Sequence, residues 1–124
     1  MRIRQIGQHV DDMDRAVRFY ESFLGQRVAA HFDPPGLGFF VLDDVRFLLD
    51  RGLPPSAVYF EVDDVATTVE RLRQDGVEIT GEPHVIFRHE SGAIGPEGRD
   101  EWHASFRDSE GNEVVVVSTR TPAL

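Results

Sequence analysis

Side chains able to do chemistry crowd into one stretch of this sequence. His89, Glu90, Asp100, Glu101 and His103 flank residues 91–100, a segment with three glycines and a proline that reads as a mobile loop. Imidazoles and carboxylates are donors that a divalent metal takes. Their spacing, however, matches no zinc or iron motif, which favours exposed polar groups at a loop edge over a metal centre. His84 and His89 fall on opposite faces of an extended run, which makes them poor joint ligands. Ser105, His103 and Asp108 supply the residue types of a nucleophilic triad. Adjacent strand residues do not converge, though, and no nucleophile-elbow glycines surround Ser105. Trp102 beside the loop is open to two readings, an edge or core aromatic and a flat wall for an aromatic ligand. Phe39, Phe40 and Phe47 are candidates for the same groove, with one of the two adjacent phenylalanines facing it. The chain has no cysteine, so disulfides, thiolate zinc sites and cysteine nucleophiles are ruled out.

The elements that must position these groups are announced twice. Val10-Asp11-Asp12 returns as Val62-Asp63-Asp64 about fifty residues later, and each copy ends an extended run and opens a helical one. In the first, Asp12 is a good N-cap. Met13, Ala16, Val17, Tyr20, Phe23 and Leu24 then make one apolar stripe, and Gly25 stops the helix. Residues 27–32, 37–42 and 45–49 read as strands, the first two separated by the turn Asp33-Pro34-Pro35-Gly36. The second half repeats the order: a strand over 57–62, and a helix with Val65, Thr68, Val69 and Leu72 inside, stopped at Gly76. Extended runs at 77–79 and 84–89 follow, interrupted by Gly81, Glu82 and Pro83, and then strands at 102–107 and 113–118. Each half is therefore strand, helix, strand, strand, strand. The fold class is α+β, with module one over 1–52 and module two over 56–120 of a single domain spanning 1–124.

Composition narrows the partners. At 124 residues and 40% hydrophobic, the chain suffices for one ordinary domain with a real core. Thirteen basic against 22 acidic residues give a formal charge of −9. That disfavours nucleic acid and anionic membrane surfaces and makes cationic or neutral small molecules easier guests. No signal-peptide core or membrane-span run is present, so the expected location is cytoplasmic. Unpaired edges of open sheets make a homodimer a natural way to cover them.

The stretch Val10-x-Asp12-x-x-x-Ala16-x-x-Phe19-Tyr20-x-x-x-Leu24-Gly25 resembles the opening of the vicinal oxygen chelate superfamily. That superfamily includes glyoxalase I, bleomycin-resistance proteins and extradiol dioxygenases. Asp108-Ser109-Glu110-Gly111-Asn112 is similar to its Asp-Pro-Asp-Gly-Asn turn. The resemblance covers nearly the whole chain. It implies two tandem βαβββ modules forming a curved mixed sheet around a cleft, and a homodimer. Function does not follow from it alone, because the fold hosts metalloenzymes and metal-free drug binders alike.

By the same resemblance, four strand positions would carry His, Glu or Gln ligands to a metal. They correspond here to Gln5, Leu48, Ala57 and Val115. Only Gln5 has a donor, and one amide oxygen does not hold a divalent metal. No metal and no cofactor are therefore expected. Alternation from Gln5 puts Gln5 and His9, Arg46, Tyr59 and Glu61, and Glu113 on the cleft side, while Val58, Phe60, Val62, Val114 and Val116 turn to the helices. With Trp102 and His103 these six form the expected ligand-binding set. A solvated sheet face with ion pairs such as Arg46 with Glu61 is the competing reading. The functional expectation is a metal-free protein that binds a small cationic or aromatic molecule, such as an antibiotic or aromatic metabolite, and sequesters it. The alternative is an enzyme: a metal-dependent lyase, isomerase or dioxygenase, or a metal-free isomerase with His9 or Glu61 as base.

Overall fold

Asp12 has extended backbone and accepts the amide N–H of Arg15 at 3.1 Å, which starts the first helix, α1 (Met13–Leu24). Gly25 ends it in the left-handed conformation at φ 69°, where a Cβ would be strained. Asp64 repeats the cap for α2 (Val65–Gln74). The computed structural model describes residues 3–120, and these two helices are flanked by eight strands: β1 (Gln5–His9), β2 (Ala30–Phe32), β3 (Leu37–Leu42), β4 (Val45–Asp50), β5 (Val58–Glu61), β6 (Ile79–Arg88), β7 (Asp100–Arg107) and β8 (Glu113–Arg120).

The strands form two four-stranded mixed sheets of identical topology, β1-β4-β3-β2 and β5-β8-β7-β6. In each, the first strand pairs in parallel with the last, and the other pairings are antiparallel. The chain divides into two compact units. One runs to Ser56 and also takes in Asp108–Asn112; the other comprises Ala57–Arg107 and resumes at Glu113. No boundary drawn along the sequence anticipates that transfer of five residues.

In the first unit Met13, Ala16, Val17, Tyr20 and Phe23 of α1 are buried with Phe40, Phe47 and Leu49. The Tyr20 ring meets Phe47 edge-on at 5.0 Å. Phe40 and Phe47 are therefore core residues on the helix side and line no groove. Phe39, paired with Leu48, takes the opposite face. In the second unit Val65, Val69 and Leu72 of α2 are buried, as are Val58, Ala104, Phe106, Val114 and Val116 of the sheet.

Two elements differ from expectation. The runs at 77–79 and 84–89 are one strand, β6, continuous through Gly81-Glu82-Pro83 with register shifts against β7. Because β6 is an edge strand, Pro83 loses no ladder bond that a second neighbour would need, and a bulge absorbs it. The run at 27–32 contracts to β2, with Val28 held instead by the Glu21 carboxylate, which accepts its amide N–H at 3.0 Å. Among the described residues no helix is long and apolar enough to cross a membrane.

Candidate functional site

Glu101 and His103 stand two residues apart on β7, so strand alternation puts both on one face. The register carries that face across the second unit. His103 pairs with Val117, which pairs with Glu61, and Ser105 pairs with Val115, which pairs with Tyr59. The Tyr59 and His103 rings lie edge to face at 5.8 Å. Glu113 joins the same face, where its carboxylate and the Ser105 Oγ both lie within hydrogen-bond reach of the Thr80 hydroxyl, at 3.0 and 2.9 Å. Tyr59, Glu61, His103 and Glu113 are thus brought to one surface, as alternation predicts.

Trp102 is not. It pairs with Ser118, whose Oγ accepts the amide N–H of Val65 at the start of α2. The Arg120 guanidinium lies 4.5 Å from the Trp102 ring centroid and also pairs with the α2 cap Asp64 at 2.9 Å. Trp102 therefore faces the helix side of an inner strand, opposite its neighbour His103, and does not share the face that carries Glu61 and His103.

Near the start of β7, on the same face of the second unit, is a bridged carboxylate. Glu101 Oε1 accepts Nε2–H of His89 at 2.8 Å, and Oε2 accepts Nε2–H of His103 at 2.6 Å. The His89 side chain is 1% exposed, and those of Glu101 and His103 are each 17% exposed. This overturns the expectation that these are exposed loop-edge groups. A buried imidazole is tolerable because Glu101 satisfies its N–H. Burial alone would raise the Glu101 pKa, but the hydrogen bonds from His103 and His89 outweigh it and hold the carboxyl below its usual range. The glycine-rich loop is tied to the same cluster. His89 N–H donates to the Arg99 carbonyl at 2.9 Å, and Gly98 N–H donates to the His89 carbonyl at 2.7 Å. Gly95 lies so close to the imidazole that a Cβ there would come within 2.3 Å of Cε1.

Glu101 also forms part of the wall of a cavity of about 350 Å³, together with Glu61, Asp63, Ile94, Pro96 and Val117. Of the residues expected from the sequence, only Glu61 lines it. Sequence reasoning considered Glu101 only as a loop-edge or metal-binding group. The i, i+2 spacing of Glu101 and His103 was the signal that could have found it, since it places two titratable groups on one strand face.

In the first unit Gln5 pairs with Arg46, Gly7 with Leu48 and His9 with Asp50, so the expected face forms there too. Gln5 and Arg46 are exposed. His9 has both ring nitrogens engaged, Nδ1 with the Leu53 carbonyl at 2.6 Å and Nε2 with Asp11 at 2.8 Å. With no free lone pair it is ill suited to act as a base. Buried Gln8 on the opposite face accepts the Ser56 amide N–H at 3.1 Å, a structural role the sequence did not suggest.

The metal implied by the resemblance fails a test of donors. Leu48 and Val115 sit in register on β4 and β8, and Ala57 just before β5, and none carries a lone pair. The imidazoles of His89, just after β6, and His103 on β7 aim at different oxygens of Glu101 rather than at a common point. Among the described residues no group of three or more His, Cys, Asp or Glu side chains is arranged to hold a metal ion. The triad types also disperse. Asp108 accepts the Tyr20 hydroxyl at 2.7 Å, His103 is held by Glu101, and Ser105 bonds Thr80.

Comparison with known proteins agrees with this architecture. The sequence model of the Glyoxalase/Bleomycin resistance protein/Dioxygenase superfamily matches residues 2–116. No curated protein sequence matches significantly. Among solved structures, TnmS3, an antibiotic binding protein from Streptomyces sp. CB03234, is similar at 18% identity and a TM-score of 0.68, with 97% of each chain covered. A lactoylglutathione lyase from Agrobacterium tumefaciens is similar at 21% identity and a TM-score of 0.66, covering 94% of this chain and 92% of that one. A virulence protein from Salmonella typhimurium is 21% identical with a TM-score of 0.67, over 94% of this chain and 95% of that one. At these identities the likeness is one of fold.

Proposed function

This chain belongs to the glyoxalase/bleomycin resistance protein/dioxygenase superfamily, and from that premise we propose that it is a metal-independent binding protein that sequesters a small organic molecule, an antibiotic or an aromatic metabolite. The observation that carries the proposal is the cavity of about 350 Å³ in the second unit, whose wall combines the apolar residues Ile94, Pro96 and Val117 with the acidic residues Glu61, Asp63 and Glu101. Its size falls in the range of small-molecule sites, and so does its mixture of apolar wall and few polar groups. An antibiotic binding protein shares the fold. So does a lyase, but the lyase, isomerase or dioxygenase chemistry of metal-bearing relatives asks for convergent donors at positions where this chain has Leu48, Ala57 and Val115. We also propose a homodimer, since β1, β2, β5 and β6 are the edge strands of their sheets and a twofold partner is suited to cover such edges.

The test is calorimetric titration of chelator-treated protein with bleomycin-type glycopeptides and a panel of aromatic metabolites. The expected result is stoichiometric binding by at least one of them, unchanged by the chelator and without turnover. Stoichiometric metal in protein purified without chelator, removable together with a catalytic activity, would overturn the proposal. Sedimentation measures the oligomeric state.

A further inference from the structure

We propose that residues 51–56 form a strap over one face of β1 in the first unit, latched by the doubly protonated ring of His9, and that loss of one proton from that ring releases it.

The strap follows β4 directly. It starts in a tight turn, where Gly52 N–H donates to the Asp50 carboxylate at 2.8 Å and Leu53 N–H to the Asp50 carbonyl at 3.4 Å. It ends at Ser56, whose hydroxyl donates to the Gly7 carbonyl at 2.7 Å and whose amide N–H donates to Gln8 Oε1 at 3.1 Å. Between these ends Pro54 and Pro55 have no N–H with which to hold the sheet. The middle is held by Leu53. Its side chain fills the space above Gly7, where a Cβ would collide with Leu53 Cδ1. Gly7 pairs with Leu48, so Leu53 lies on the face that Leu48 shares with Gln5, Arg46 and His9. Leu48 is buried there, although Gln5 and Arg46 beside it are exposed. The carbonyl of the same Leu53 lies 2.6 Å from His9 Nδ1.

Both partners of the His9 ring are acceptors, the Leu53 carbonyl at Nδ1 and the Asp11 carboxylate 2.8 Å from Nε2. Satisfying both takes two N–H groups, which only the imidazolium has. The hydrogen bond to Asp11, and after it the one to Leu53, raises the His9 pKa above 6.5. When the ring loses a proton, the one that remains stays with the stronger acceptor, the charged Asp11. Nδ1 then turns a lone pair on the Leu53 oxygen, and attraction gives way to repulsion. The strap is closed below the His9 pKa and opens as pH rises through it, uncovering Gly7 and Leu48. The charged groups around His9 are Asp11, Asp50 paired with it on β4, Arg51 on the strap, Asp12 and Arg15 at the start of α1, and Glu110, which accepts the Asp11 N–H and pairs with Arg15. All of these keep their charge between about pH 5.5 and pH 9. His31 on β2 lies in register with Gly38 and Leu49, on the opposite face.

The experiment is NMR of the full chain with methyl-labelled leucine, at pH values from 5.5 to 9. A nuclear Overhauser contact between the Leu53 methyl groups and Gly7 Hα marks the closed strap, and relaxation dispersion on those methyl groups measures the ratio of open to closed. The contact is expected at pH 5.5. The ratio should rise about tenfold or more by pH 9, with the midpoint at which the His9 ring itself titrates, while the core methyl groups of Leu49 stay unchanged. His9→Asn sets an amide N–H where Nδ1 stands and does not titrate, so its strap should stay closed throughout. His9→Gln sets its amide where Nε2 stands, keeps the bond to Asp11 and should show a raised ratio at both ends of the range. If either variant does not fold by circular dichroism, the titration of the unaltered chain decides alone. Absence of the contact at pH 5.5 would overturn the strap. A ratio that ignores the titration of His9 would overturn the latch, and so would a His9→Gln strap as firmly closed as that of the unaltered chain. Leu49 moving in step with Leu53 would mean loosening of the whole unit, and would overturn it as well.

Discussion

Two side chains show how single residues set the pH range of this fold. Glu110 has a side chain that is 0% exposed and pairs with Arg15 at 2.7 Å. It also accepts the amide N–H groups of Asp11 and Asp12, at 2.8 and 2.7 Å, just ahead of α1, where a negative charge suits the helix dipole. Burial works against its charge, but the Arg15 hydrogen bond and these amides prevail, and its pKa falls to about 2. A folded pKa below the unfolded one means stabilisation that is present above about pH 4.5 and lost as pH falls towards 2. Glu110→Gln should therefore cost about 1–2 kcal/mol at pH 7, allowing for solvent screening on the Arg15 side, and thermal melts of the two proteins should draw together as pH falls through about 2. His9 works in the opposite direction. Its hydrogen bonds to Asp11 and to the Leu53 carbonyl both want a proton on the ring, and they raise its pKa above 6.5. Its contribution is complete below pH 6.5 and is lost as pH rises through the raised value. An NMR titration should find the His9 pKa elevated, and Asp11→Asn should bring it down. A value unmoved by that substitution would remove Asp11 as the cause.

At the scale of elements, alternation and helical stripes were legible because they are local. Asp12, Gly25 and the buried set from Met13 to Phe23 are where period and cap chemistry put them. Gln5 with Arg46, and Tyr59 with Glu61, share the faces that a two-residue period assigns. What failed was set by long-range pairing. Pro83 did not break β6, because only register against β7 shows that the strand is an edge and bulges there. The phase of Trp102 could not be known without a partner to fix it, and Ser118 fixes it towards α2. His89 looked like a loop residue until Glu101, twelve positions on, supplied the acceptor that lets it be buried. The loop itself depends on a close approach, and this leads to a further prediction. Gly95→Ala would drive a methyl to about 2.3 Å from the imidazole Cε1 of His89, so loop or ring must move. The expected outcome is a loss of about 1–3 kcal/mol on thermal melting, with faster amide exchange at Gly98, whose N–H now holds the His89 carbonyl. An unchanged melting temperature and exchange rate would mean that the loop does not rest on the ring.

For the whole molecule, the doubled topology hides an asymmetry: the turn Asp108–Asn112, between two strands of the second unit, belongs to the first. Asp108 is the hub of that attachment. It accepts the hydroxyl of the buried Tyr20 and the side-chain amide of Asn112 on Oδ2, and two backbone N–H groups, of Glu110 and Asn112, on Oδ1. Asn112 in turn donates to the His9 carbonyl at 2.7 Å. β7 and β8 cannot separate from their sheet without pulling on this turn, and the turn cannot leave without stripping partners from Tyr20 and β1. The two units should therefore melt as one cooperative transition although each has its own sheet and helix. Asp108→Ala leaves a buried hydroxyl and several amides without acceptors, which costs about 2–4 kcal/mol. Trp102, the single tryptophan, reports on the second unit. In urea its fluorescence midpoint should fall in step with the circular dichroism midpoint in the Asp108→Ala variant, by the full amount of the destabilisation. A tryptophan transition that keeps its wild-type midpoint while the helical signal shifts would show two independently folding halves, and the turn would then be a local ornament of the first.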